Sequence, residues 1–214
     1  MKIGIMGGTF DPVHNAHLKA AQVVCKACAL DTVMLMPSNV PPHKAGRTIA
    51  SASDRVEMLR LAVASLAASE NTDCLNVSTI EVDRPGTTYT IDTLRMLASG
   101  GAEYFYLVGA DVVFDLLNWK DCTEVFKLCT FIAMLRPGFE RSQFDQQVRE
   151  LKEFHAVKML VVEIPQMDMS STEIRESIAH CEKSEFAELK TWLPVPVFDY
   201  IIDKNLYGAG EKIV

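Results

Sequence analysis

Eleven residues near the start of the chain, Gly7-Gly8-Thr9-Phe10-Asp11-Pro12-Val13-His14-Asn15-Ala16-His17, bring together groups that can hold an anion. Adjacent glycines let backbone N–H groups approach a ligand closely, and the N-terminus of a following helix adds partial positive charge. His14 and His17 lie three positions apart, so at helical spacing both imidazoles project from one face of the first turn and can meet one phosphate. Two other readings of the pair stand beside this one: capping side chains without chemistry, or two ligands of a zinc site whose third ligand is not evident, His43 being on a proline-rich loop. Far along the chain, Ser170-Ser171-Thr172-Glu173-Ile174-Arg175 places hydroxyls at a helix start and a guanidinium one turn later, a group that forks onto phosphate oxygens. An ordinary N-cap followed by a surface arginine is the alternative there. Neither a G-x-G-x-x-G nor a G-x-x-x-x-G-K-[ST] run occurs, which removes the main support for a dehydrogenase or a P-loop enzyme.

These groups must be positioned by the elements around them. Residues 2 to 6 are a short apolar run that ends in glycines, and Leu18, Ala21, Val24, Cys25 and Cys28 then repeat at helical spacing: strand, turn, helix. Further strands are predicted at 32–36, 75–82, 104–108, 131–135 and 159–164. Helices are predicted at 53–68 (opened by Ser53 and Glu57), 89–98, 141–153, 171–179 and 195–204, with short helical patterns over 112–128. Residues 37 to 53 carry three prolines, Asn39 and Gly46 and read as a long exposed loop. Strands alternating with helices imply right-handed parallel crossovers and an open α/β sheet covered on both faces. Ligands of such sheets bind beyond the carboxyl ends of the strands, where Gly7–His17, Pro37–Lys44, Gly109–Asp111 and Arg136-Pro137-Gly138 all fall.

Composition narrows the partners. The 214 residues are read as a single domain, with a more helical C-terminal part from about residue 170, and their 49% hydrophobic content suffices for a core without staples. Lys plus Arg is 21 against 28 for Asp plus Glu, so the net charge of −7 has the wrong sign for bulk nucleic-acid binding. The first apolar run is too short for a signal peptide or a membrane span, which points to a cytoplasmic protein. Six irregularly spaced cysteines fit reduced thiols. Cys25 and Cys28 form a C-x-x-C late in a helix, where a small-residue packing role outweighs a redox pair or half a zinc site.

Gly-Gly-Thr-Phe-Asp-Pro-x-His-x-x-His after the first strand resembles the signature of H-x-G-H-type nucleotidyltransferases, and the Ser170–Arg175 stretch resembles that family's second motif. Pro41-Pro42-His43-Lys44, the run from Arg84 to Leu94, Gly109-Ala110-Asp111 followed by Trp119, and the closing Leu193-Pro194-Val195-Pro196 and Leu206-Tyr207 extend the likeness to the bacterial nicotinate-mononucleotide adenylyltransferases over essentially the whole chain. The resemblance implies a Rossmann-like nucleotidyltransferase domain over residues 1–214 that moves AMP from ATP to nicotinate mononucleotide, giving deamido-NAD and pyrophosphate. It implies ATP on Gly7, Gly8, Thr9, Phe10, His17, Ser170, Ser171, Thr172 and Arg175, with His14 donating to the α-phosphate as a cation, and Lys44 bridging the phosphates of both substrates. The acceptor would take Tyr89, Thr90, Asp111, Trp119 (stacked on the pyridine ring) and Arg136. Mg²⁺ is expected with ATP, with no protein metal site, and self-association into a homo-oligomer stays open. Ala16 stands where the signature usually has glycine, Asn15 where an aromatic is common and Met169 where a β-branched residue is common. Nicotinamide mononucleotide as the acceptor, a non-catalytic nucleotide sensor, and a thiol or zinc protein remain alternatives.

Overall fold

A computed structural model describes residues 1–39, 50–70, 73–180 and 186–212. Six strands form one sheet: β1 (Lys2–Gly8), β2 (Thr32–Pro37), β3 (Leu75–Val77), β4 (Glu103–Gly109), β5 (Thr130–Leu135) and β6 (Met159–Glu163). Every pairing is parallel, in the order β3-β2-β1-β4-β5-β6. The connecting helices are α1 (Asn15–Ala27), α2 (Ala52–Glu70), α3 (Thr90–Leu97), α4 (Cys122–Leu128), α5 (Arg141–His155), α6 (Ser171–His180), α7 (Phe186–Trp192) and α8 (Val195–Asp203). The order reverses between β1 and β4, which leaves a crevice beyond their carboxyl ends.

Strand residues alternate between two apolar layers, as a period of two requires. Leu107 and Ile132 pack with Leu18, Val24, Leu59, Ile178 and Phe198 of α1, α2, α6 and α8. Val108 and Phe131 pack with Leu94, Phe126 and Phe144 of α3, α4 and α5 on the other face.

Two expectations are corrected. The strand predicted for residues 75–82 stops at Val77, because after the Ser78 amide bonds the Leu35 carbonyl (3.0 Å) the chain turns, with the Asp83 amide on the Thr79 carbonyl (2.8 Å) and the Thr79 hydroxyl donating to the Asp83 carboxylate (2.7 Å). That turn buries the Glu81 side chain, and the apolar alternation of Ile80 and Val82 mimics a strand it does not continue. Helix α2 is capped by Ser51 rather than Ser53: the Ser51 hydroxyl accepts the Asp54 amide at 3.1 Å. Helix α7 and the 3₁₀ turn Leu206–Lys212 were not predicted.

Candidate active site

Strand β1 delivers Gly7 and Gly8 to the crevice, the chain crosses over Thr9–Val13, and α1 starts at Asn15 with His14 as its N-cap. The crossing is held by Arg55 of α2, only 1% exposed, which donates to the carbonyls of Thr9 (2.8 Å), Ala50 (3.3 Å) and Asn39 (3.3 Å). Phe10 adopts a left-handed conformation (φ 50°) and buries its ring edge-on to His17, with centroids 5.1 Å apart, so only its backbone remains for a ligand. The rings of His14 and His17 stack at 3.7 Å, and His17 Nδ1 accepts the His14 backbone N–H at 3.4 Å. His17 therefore carries its proton on Nε2 when neutral. Burial first, then the positive charge of Arg136, lowers His14 to about 4, against the opposing pull of Glu173. In the free protein near neutrality this buried ring is uncharged, so the cation expected beside the α-phosphate has to form as the phosphates bind.

The second motif closes on the first. Ser171 Oγ donates to the Pro12 carbonyl at 2.9 Å, and Arg175 Nη1 donates to the Asp11 carbonyl at 2.6 Å across 164 positions of sequence. The guanidinium also bonds the Ser171 carbonyl (3.1 Å) and Thr172 Oγ1 (3.2 Å), and Ser170 Oγ accepts the Glu173 amide (3.2 Å) as an N-cap would. Imidazoles and guanidinium stand on one side of the molecule, around one loop.

Two cavities open beside this loop. The larger, about 680 Å³, is lined by Gly7, Gly8, Thr9, Tyr89, Thr90, Asp111 and Trp119, together with Glu81 and Tyr106. Trp119 stands edge-on to Tyr106 and Phe131, at 5.7 and 6.0 Å. Thr90, the first residue of α3, donates its hydroxyl to Tyr106 at 3.3 Å, and Lys120 Nζ sits 4.5 Å from the Tyr89 ring centre. Glu81 accepts the Thr93 hydroxyl at 2.7 Å, and burial raises its pKa above the ordinary carboxylate range. The smaller cavity, about 290 Å³, is lined by His14, Ala16, His17, Asp111, Arg136 and Met167. Arg136 thus stands with the histidines and not with Trp119, where the acceptor was expected. Lys44 lies outside the described residues, as do Pro41, Pro42 and His43. Sequence reading missed Arg55, Glu81, Tyr106 and Tyr207. A buried charged residue gives no local signal, although an arginine one turn into a helix after a long loop was a position to question.

Among the described residues no group of three or more His, Cys, Asp and Glu could hold a metal. Cys25 donates to the Leu30 carbonyl (3.4 Å), and burial followed by its Cys74 neighbour pushes its thiol up to about 12, which suits packing and not redox chemistry. No described helix is long and apolar enough to cross a membrane.

The cytidylyltransferase-like family profile matches residues 5–177, the span that carries both motifs. The chain belongs to this family, among the nicotinate-nucleotide adenylyltransferases. Its relatives include a protein of Thermoanaerobacter sp. (strain X514) named "Probable nicotinate-nucleotide adenylyltransferase", 36% identical with 99% of this chain and 97% of that one covered. A Corynebacterium kroppenstedtii protein of the same name is 38% identical over 99% and 93% of the two chains. The fold also matches the Plasmodium falciparum nicotinic acid mononucleotide adenylyltransferase complexed with NaAD, with a TM-score of 0.75, 18% identity and 98% of each chain covered. At that identity the likeness concerns the fold alone.

Proposed function

We propose that the chain transfers the AMP part of ATP to the 5′-phosphate of nicotinate mononucleotide, forming deamido-NAD and releasing pyrophosphate. The observation that carries this reading is the contact of Arg175 with Asp11, which joins the second motif to the loop whose Gly7, Gly8 and Thr9 line the cavity of Trp119 and whose histidines line the smaller cavity. Relatives along the full chain carry the name of this activity.

The acceptor phosphate is already an anion, so an oxygen of it attacks the α-phosphorus, the bond from that phosphorus to the bridging oxygen breaks, and pyrophosphate leaves with the electron pair. No side chain has to take a proton, and catalysis reduces to alignment and charge stabilisation. His17 Nε2–H and the glycine-loop amides face the ATP phosphates. His14, neutral in the free protein, gains a proton as the phosphates arrive and donates to the α-phosphate. Arg175 and the start of α6 receive the β- and γ-phosphates, and Lys44 bridges the two substrates. ATP enters as its Mg²⁺ complex: imidazole and guanidinium donors suit the phosphates, so the ion is left to phosphate oxygens and water. Trp119 stacks on the pyridine ring, Thr90 and nearby amides take the carboxylate, and Asp111, which borders both cavities, bonds ribose hydroxyls. A cytoplasmic setting fits the five free thiols of the described residues.

The test is mass identification of products after mixing the protein with ATP, Mg²⁺ and either nicotinate or nicotinamide mononucleotide. Deamido-NAD and pyrophosphate are expected from the acid. Formation of neither dinucleotide overturns the reading, and NAD formed in preference to deamido-NAD overturns the choice of acceptor.

A further inference from the structure

We propose that Tyr207 is a positioning residue for adenylyl transfer: from the C-terminal turn it holds the Asp11 carboxylate off Arg175, which keeps that guanidinium available to ATP. The proposal rests on the reading of Arg175 as a phosphate ligand.

Four segments remote in sequence meet at Asp11, which is 2% exposed. Its Oδ1 accepts the Tyr207 hydroxyl at 2.7 Å and the Ala50 amide at 3.0 Å, and its backbone carbonyl accepts Arg175 Nη1 at 2.6 Å. Oδ2 takes no hydrogen bond from the described residues and stands 3.8 Å from Arg175 Nη1. A buried carboxylate beside a guanidinium would ordinarily close into a short, bidentate pair. Here two neutral donors hold the carboxylate by its other oxygen, and Arg175 is engaged through backbone carbonyls and a hydroxyl instead. Such contacts yield to a phosphate more readily than a closed ion pair would, because a phosphate supplies the opposite charge that they lack.

Tyr207 reaches Asp11 only because the chain reverses after α8. Asn205 (φ 50°), Tyr207 (φ 58°) and Gly208 (φ 79°) are all left-handed. Two non-glycine residues keep that conformation where surrounding contacts determine it. Burial, then the Asp11 charge and the hydrogen bond to it, raise the tyrosine pKa, so the hydroxyl remains a donor. The Arg55 guanidinium also acts on this tyrosine and on Asp11, and its hydrogen bonds go to the Thr9, Ala50 and Asn39 carbonyls.

Loss of the Tyr207 hydroxyl frees the carboxylate to turn onto Arg175 and withdraw it from the phosphates. The experiment measures ATP affinity by calorimetry, without acceptor, for the wild type, Tyr207→Phe, Arg175→Lys and the double variant, alongside thermal midpoints and the KM of nicotinate mononucleotide. Tyr207→Phe is expected to weaken ATP binding by about tenfold, the usual order for one such polar contact. The acceptor KM is expected to stay within about twofold, and Tyr207→Phe is expected to add almost nothing in the Arg175→Lys background. A merely structural role predicts additive losses or a parallel rise in acceptor KM; either result, or unchanged ATP affinity in Tyr207→Phe, overturns the proposal. Should Tyr207→Phe not fold, Asp11→Asn reads the same link: without the competing charge its ATP affinity is retained or increased, and a decrease overturns the proposal. Because ATP binding is read without acceptor, a wild type that makes no dinucleotide would sink the proposed reaction and leave this result legible.

Discussion

The Tyr106 hydroxyl occupies the space that a side chain on Gly7 would need, 2.6 Å from where its Cβ would stand. The same hydroxyl accepts the Thr90 side chain at the start of α3, so the glycine, the tyrosine and the threonine define one wall of the larger cavity. Gly7→Ala is therefore expected to push the tyrosine ring and raise the acceptor KM by about ten- to a hundredfold, the usual scale for a displacement approaching 1 Å. Adding Tyr106→Phe removes the colliding oxygen and restores part of the loss. Steady-state kinetics with each substrate varied in turn check both outcomes, and an acceptor KM that Gly7→Ala leaves unchanged contradicts the assignment of this wall.

His14 gives the protein a pH dependence with a definite sign. Its imidazole falls from 6.5 to about 4 on folding, so between those values the unfolded chain binds a proton that the folded chain does not. Stability is full above pH 6.5 and is lost as pH falls toward 4, by on the order of 3 kcal/mol. Urea unfolding from pH 7.5 to 4.5 should show this decline, and His14→Asn should flatten it. ATP phosphates favour the protonated ring, so binding near pH 6 should take up a proton, seen as a buffer-dependent heat in calorimetry.

His17 is half-buried, lines the smaller cavity and accepts the His14 amide on Nδ1, which leaves Nε2–H as its donor. Removing such a preorganised donor costs about 2.7 to 4 kcal/mol of transition-state stabilisation. His17→Ala is expected to lower kcat by about a hundred- to a thousandfold while the protein remains folded by circular dichroism. Near-normal turnover would remove His17 from the reaction.

Arg55 joins the Thr9 and Asn39 carbonyls, which follow the carboxyl ends of β1 and β2, and adds that of Ala50. Lysine keeps the charge and lacks the planar fork, so Arg55→Lys leaves at least one buried carbonyl without a donor. A loss of about 1 to 3 kcal/mol is expected in urea unfolding. A variant as stable as the wild type would mean that the crossing is held by packing alone.

The alternating sheet was legible because its apolar runs are short, separated by helical periods and ended by glycine or proline, as at Gly7-Gly8 and Arg136-Pro137. The segment Ile80–Val82 misled for the same reason: alternation looks alike whether it lies in a ladder or in a turn that buries one carboxylate. Of the site, the histidine loop and the Ser170–Arg175 stretch were readable from local chemistry, since glycines, imidazoles and hydroxyls at helix starts carry their reason in their spacing. Arg55, Glu81 and Tyr207 were not, because each acts through a partner from a dozen to nearly two hundred positions away, and only the fold brings those partners into reach. His14 was legible as a residue, whereas its neutrality in the free protein was not, since burial is a property of the folded chain.

Met6, Gly109, Asp111 and Met134 border both cavities, so the two chambers share a floor at the reversal of the sheet. A change in any of these four alters both cavities at once. With the substrates divided between the chambers as proposed, a change of acceptor would begin at the far rim, around Trp119 and Thr88, which line the larger chamber and not the smaller.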